Sequence, residues 1–316
     1  MKREGITILV LSLIIIILIP WTIMRWQKEE IPAEDFNIRV KMSDGNIETM
    51  TLETYLVGVV AAEMPAEFDS EALKAQAVAA RTYAAKKMSQ RSASDSGYDV
   101  DTTVQTQAWL SENEMKTKWG WLSYWRYFKK IGDSVKSTEG QVLVSEGQYI
   151  DAFFHSSSGR KPTERAEEVW SSSRSYLQNI ESGETNQARF LKTYKFTPST
   201  LYQKLGLTRS PQPLENKDFE IMSKTAAGRA KEVRVLGTVY KAPQLRTLLG
   251  LASTDIEFTI QPEEIQIKTY GNGHAVGMSQ YGANDLAKAG RNYKEILSHF
   301  YPGTQILSLS KGKGSP

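Results

Sequence analysis

Tyr55-Leu-Val-Gly-Val-Val-Ala-Ala-Glu-Met-Pro65 runs, a few residues later, into Ala72-Leu-Lys-Ala-Gln-Ala-Val-Ala-Ala-Arg-Thr-Tyr83. The first run is an uninterrupted apolar stretch that ends at Glu63-Met64-Pro65. A proline disfavours helical geometry in the residue before it, so a short helix over Tyr55–Ala62 must stop there. Asp69 or Ser70 supplies an N-cap for a second helix, about Glu71–Met88. Leu73, Ala77, Ala80 and Ala84 form one face of that helix, and small side chains there let neighbours approach closely. Lys74 and Arg81, seven apart, share another face.

Strand signals precede this pair and follow it. Ile38–Met42 and Ile47–Leu52 flank Asp44-Gly45, a hairpin signature. Ser89–Gly97 is polar and turn-rich, and a tryptophan-rich helix is expected over about Ser111–Val135. Gln141–Val144 and Tyr149–His155 read as strands around Glu146-Gly147. Residues 163–264 have no clear single period. A glycine-rich segment, Thr269–Ala283, leads into a helix over about Ala283–Ala289, and a last helix spans Tyr293–Phe300 before Pro302-Gly303. The expected fold class is α+β, one mixed globular domain at residues 31–308, with a disordered tail at 309–316.

At the N-terminus, Ile6–Met24 is apolar and uncharged. A helix of that length reaches roughly 28 Å, close to the ~30 Å hydrocarbon core of a bilayer. No small-residue cleavage site follows, so residues 1–30 read as an uncleaved single-pass transmembrane anchor and linker. The short N-terminal tail then leaves the large domain outside the cytoplasm. Net charge is +3, which gives no support to a nucleic-acid partner. Cysteine is absent, which removes disulfides, thiol nucleophiles and cysteine metal sites. With three histidines and no H-E-x-x-H, no metal and no cofactor are expected.

Four groups of side chains have the chemistry for a site. Glu63 sits among apolar neighbours at a proline turn, where desolvation raises a carboxyl pKa; an exposed helix-end glutamate fits the same residues. Lys74 and Arg81 suit a polar or anionic ligand, or equally a solvated helix face. His155-Ser156-Ser157-Ser158-Gly159 follows an apolar strand and clusters donors and acceptors at its end, or forms a simple turn; no G-x-S-x-G elbow accompanies it. Gly271–Ala283 carries four glycines and offers His274, Gln280 and Tyr281, but it lacks the spacing of a phosphate loop. Trp119, Trp121, Tyr124, Trp125 and Phe128 crowd one helix, where packing is the commoner meaning and sugar stacking the alternative.

Together these segments resemble the stage II sporulation protein D family. The resemblance rests on Tyr55–Pro65, Ala72–Tyr83, Phe153–Gly159, Val169-Trp170, Tyr176-Leu177, Leu249–Leu251 and Gly273–Ala283, in the family's order across residues 37–306. It implies a peptidoglycan lytic transglycosylase acting during engulfment in sporulation, with Glu63 as the catalytic residue. It also places Lys74, Arg81, His155, Ser156, Ser157, Tyr176, His274, Gln280 and Tyr281 along a glycan cleft. The implied partners are glycan strands stripped of peptide, a cell-wall amidase and a membrane scaffold (stage II sporulation proteins P and M). The implied location is the mother-cell membrane, through residues 6–24. Three positions depart from the family pattern. Asp101-Thr-Thr-Val-Gln105 has none of the cysteines with which some relatives bind zinc; Gly159-Arg160-Lys161 replaces a second glycine; and Ala275 replaces the middle glycine of G-H-G-V-G-M-S-Q.

A lytic transglycosylase fits a single carboxyl, because the sugar's own C6 hydroxyl replaces water as the nucleophile. Two other readings stand beside it: a non-catalytic module that uses the same segments to bind glycan and stimulates an amidase, and a scaffold whose anchor and exposed surface hold a membrane complex together.

Overall fold

The computed structural model describes residues 36–90, 97–103, 106–170, 172–208 and 210–309. The transmembrane segment expected at residues 6–24 lies outside them, and among the described residues no helix is long and apolar enough to cross a membrane. Strands β1 (Asn37–Lys41) and β2 (Ile47–Thr51) form the expected antiparallel hairpin, with Gly45 at φ +89° in the turn. Helix α1 (Leu52–Glu63) follows at once, capped by the Thr51 hydroxyl; it stops where Met64 turns extended before Pro65. Helix α2 (Ser70–Ser89) starts from Asp69, whose carboxylate caps Glu71 N–H. It is buried on nearly every side, from Ala72 and Leu73 to Ala84, which is why its residues are small.

A short strand, β3 (Val100–Asp101), adds to β1 in parallel. Helix α3 (Glu112–Ser137) opens on a Ser111/Glu114 capping box and breaks stride at Gly120, at φ +68° and ψ 156°. Strands β4 (Gln141–Ser145) and β5 (Gln148–Tyr149) turn at Glu146-Gly147, both with positive φ. The strand expected over Tyr149–His155 is shorter: only β6 (Phe154–His155) resumes, because Asp151 leaves the ladder to meet Lys86 and Arg174. A one-turn helix, α4 (Ala166–Trp170), follows.

The stretch with no clear period resolves into a second body with its own core around Val233, Leu245 and Ile267. Its elements are β7 (Lys192–Phe196), α5 (Pro198–Lys204), β8 (Phe219–Lys224), β9 (Ala230–Val235), β10 (Thr238–Lys241), α6 (Ala242–Leu249), β11 (Asp255–Gln261) and β12 (Glu264–Tyr270). They form two antiparallel sheets, β10-β9-β8 and β11-β12-β7. The chain then returns to the first core with β13 (Met278–Ser279), parallel to β6, and α7 (Gln280–Lys288). Helix α8 (Tyr293–Phe300) packs Ile296, Leu297 and Phe300 inward. Strand β14 (Gln305–Ser308) pairs with β4. Leu309 N–H still reaches the Gly140 carbonyl at 2.7 Å, so the ordered chain extends one residue into the expected tail; residues 310–316 lie outside the described residues. The fold class is α+β, as expected from the sequence.

Candidate active site

Glu63 ends α1, where the proline turn fixes its direction. One carboxylate oxygen, Oε1, accepts the Ala108 N–H at 2.9 Å. A backbone N–H can only donate, which leaves the other oxygen, Oε2, as the favoured place for a proton on this carboxyl. Burial pushes the carboxyl above the ordinary glutamate range, against the pull of the Ala108 N–H, the Gln280 amide and the Lys118 ammonium. The Lys118 ammonium donates to the Ala61 carbonyl at 3.0 Å, and burial holds it below the usual lysine value. Glu63 is thus a carboxyl poised to hold a proton, with a cation near enough to stabilise it once the proton has gone.

The glycine-rich segment comes to Glu63 through Gln280. Pairing of β13 with β6 sets Ser279 opposite His155, and α7 begins at the next residue. The Gln280 side-chain amide lies beside Glu63, whose pKa it lowers, and donates to Gln76 Oε1 at 3.4 Å. Tyr281 donates its N–H to the Ser156 carbonyl at 3.1 Å. Its ring lies edge-on to Phe68 and Phe190 at 4.8 and 5.0 Å, with the Arg189 guanidinium 4.4 Å from its centre. Close backbone approach requires Gly277: at φ +71°, a Cβ there would lie 2.0 Å from the Phe153 carbonyl oxygen.

His155 and His274 hold one residue, Val276, between them, one at its carbonyl and the other at its N–H. His155 Nδ1 faces the Val276 carbonyl at 3.2 Å and carries the proton, so Nε2 accepts from the Ser158 hydroxyl at 2.8 Å. His274 has the opposite tautomer, with Nδ1 accepting the Val276 N–H at 3.1 Å. Burial holds both imidazoles neutral: His155 falls well below its usual value and His274 to about 4. Trp170, largely exposed, sits 4.9 Å from the His274 ring.

Several expected ligand-facing residues are structural instead. Arg81 is wholly buried: it forks onto Glu53 at 2.6 and 2.8 Å and donates to the Val135 and Gln141 carbonyls. Its donors join α1, α2 and α3 and are closed to a substrate. Lys74 pairs with Glu71 at 2.6 Å, and Glu71 in turn caps Tyr293 N–H, at the junction with α8. Ser157 is buried, and its hydroxyl donates to Glu184 at 2.5 Å. Tyr176 is buried and its hydroxyl accepts the Asp151 N–H at 3.0 Å. Ser156 is half-buried, and it meets Tyr281 through its carbonyl. The helix-packing reading of the tryptophans holds for Trp119 but fails for Trp121 and Trp125, which are exposed.

Other residues came to light only in the fold. Glu184 accepts from Ser157, Ser158 and Ser279 and ties both site segments together. Arg229 is buried and donates to the Ser158, Lys161 and Pro162 carbonyls, so the second body grips the serine loop. Arg160 and Lys161, at the position of a family glycine, both pair with Asp255. Ala275 adopts φ +64°, the left-handed region that explains why glycine suits this position. Lys118 and Gln76 were open to discovery, one in the tryptophan-rich helix and one between Lys74 and Arg81. The Ala108 N–H leaves no trace in side-chain identity. Among the described residues, no three His, Asp or Glu side chains cluster as a metal site.

The family model described as stage II sporulation protein matches residues 42–144, the segment that carries Glu63, Gln76 and Lys118. Stage II sporulation protein D of Bacillus subtilis is 39% identical over 282 residues, covering 88% of this chain and 81% of the relative. The protein of the same name from Bacillus amyloliquefaciens is 38% identical over 269 residues, covering 84% of this chain and 77% of the relative. The amidase enhancer of Bacillus subtilis is 30% identical over 307 residues, covering 80% of this chain and 40% of that longer protein. Identity at this level, over most of both chains, is well beyond what a shared fold requires: the chain belongs to the stage II sporulation protein D family.

Proposed function

We propose that this protein is a lytic transglycosylase that cuts peptide-stripped peptidoglycan strands during sporulation, with Glu63 as its only acid and base. The observation that carries this reading is the environment of Glu63. It is a buried carboxyl that desolvation holds above the ordinary glutamate range, with one oxygen taken by the Ala108 N–H and the Lys118 ammonium nearby. Ordinary glycosidases need two carboxyls, one acid and one nucleophile or base. Here one carboxyl suffices. Oε2–H protonates the glycosidic oxygen as the bond to the anomeric carbon breaks. The C6 hydroxyl of the same sugar then attacks that carbon, and its proton passes to the Glu63 carboxylate, leaving a 1,6-anhydro ring. The enzyme ends protonated as it began. Lys118 stabilises the carboxylate between the two transfers, and Gln280 with the Ala108 N–H fixes its plane.

The same proposal holds the domain outside the cytoplasm, at the mother-cell membrane, through residues 6–24. It pairs the enzyme with an amidase that strips the glycan and with a membrane scaffold, stage II sporulation proteins P and M. Similarity to an amidase enhancer favours a second reading, in which the chain binds glycan and stimulates an amidase without cutting. Incubating wild type and Glu63→Gln with peptide-free strands, and reading the products by mass spectrometry, separates the two. Anhydro ends from wild type alone support the transglycosylase. Reducing ends indicate hydrolysis, and binding without cleavage favours the stimulating module.

A further inference from the structure

Helix α3 carries an outward face that neither the core nor the candidate site uses. Tyr124, Ile131 and Val135 point into the core. Lys118 and Lys130 donate to the carbonyls of Ala61, Ala66, Glu67 and Phe68, and so hold α3 along the loop that follows Glu63. At 3.6 residues per turn, the side of the helix away from these contacts presents Trp121, Leu122, Trp125, Arg126 and Lys129. Trp121, Leu122 and Trp125 are 74, 78 and 64% exposed. Gly120 breaks the helix immediately before them and sets this segment at its own angle.

We propose that this face, Trp121 to Lys129, seats on the surface of an anionic lipid bilayer. Two indoles and a leucine on a convex helix surface match the interfacial zone, where an apolar body and a polar ring edge are both accommodated. Charge complements it: Arg126, Lys129 and Lys136 are exposed on the same helix, Lys129 in an exposed pair with Asp133 at 2.6 Å. Long cationic side chains lay their stems along apolar surface and hold their charge at headgroup level. A glycan strand is the poorer occupant. Stacking on sugars needs flat ring faces, whereas Leu122 is aliphatic and the most exposed of the three.

The cysteine-free sequence makes the test direct. Leu122→Cys in the full chain is labelled with an environment-sensitive fluorophore, with the exposed Val239→Cys on β10 as the control. The labelled chains are incubated with phosphatidylglycerol-containing and with purely zwitterionic vesicles. The proposal expects a blue shift at position 122 with anionic vesicles only, quenched by spin-labelled lipid and lost in Arg126→Glu/Lys129→Glu. It expects no shift at position 239. An aqueous spectrum at 122 on vesicle-bound protein, equal shifts at both positions, or no vesicle binding at all would overturn it. A shift at 122 produced by peptide-free glycan without lipid would also overturn it, reassigning the face to substrate.

Discussion

The side-chain amide of Gln280, at the start of α7, lies close enough to the carboxyl of Glu63, at the end of α1, to draw its pKa down. Through this contact the glycine-rich segment becomes part of the Glu63 site, and the chemistry of the carboxyl comes to depend on its neighbours.

Glu63→Gln keeps the size of the side chain and removes the acid. Cleavage of peptide-free strands should fall by roughly two to four orders of magnitude, the usual weight of a general acid and base. Thermal unfolding should stay close to wild type. A variant with unaltered cleavage would remove Glu63 from the mechanism.

The first proton transfer needs Glu63 protonated. Its pKa is raised by burial, so activity should decline as pH rises through a value above the ordinary glutamate range. Lys118 lowers that pKa, so Lys118→Met should move the alkaline limb to higher pH while slowing turnover. A pH–rate profile of both proteins reads this directly, and a limb that stays in place would show that Lys118 is electrostatically silent.

Gln76 accepts from Gln280 and orients the amide that meets Glu63. Gln76→Leu should free that amide, lower kcat and leave KM close to wild type. The alkaline limb should also move upward, because the pull of the Gln280 amide that lowers the Glu63 pKa is weakened.

Arg81→Met should act on stability rather than on substrate binding. It leaves the half-buried Glu53 and two backbone carbonyls without their donors, a loss of about 1–3 kcal/mol. Urea unfolding should show the loss; a folded variant of normal stability with a raised KM would restore Arg81 to the cleft.

Ala275→Gly should stabilise the protein. A left-handed alanine costs roughly 1–2 kcal/mol, and the extra chain entropy of glycine offsets about half of that. A rise in Tm checks the sign. The neutral histidines give a pH signature too. Their folded pKa values are depressed, so the unfolded chain binds more protons between pH 6.5 and about 4. Stability is therefore full above pH 6.5 and falls through that window on acidification, which unfolding at stepped pH would record.

Local grammar was legible where it governs the backbone. The hairpin at Gly45, the stop at Pro65, the cap at Asp69 and the last helix all follow from nearest neighbours. The division of labour among polar residues was not. Arg81 and Ser157 look like ligands in sequence because nothing near them reveals Glu53 or Glu184, the carboxylates that occupy them. The body from β7 to β12 was opaque because its strands alternate weakly and face a small core of their own. Gln280 was found through its segment, whereas Lys118 was overshadowed by the tryptophans around it.

The contact between Gln280 and Glu63 also sets a timetable. During synthesis the glutamate emerges early, and the amide that completes its setting emerges close to the end, after the whole second body. Contacts between such distant parts of a chain form late, once the loop between them has closed. A nascent molecule that has not yet reached Gln280 therefore bears the carboxyl without the amide that stands beside it in the folded protein.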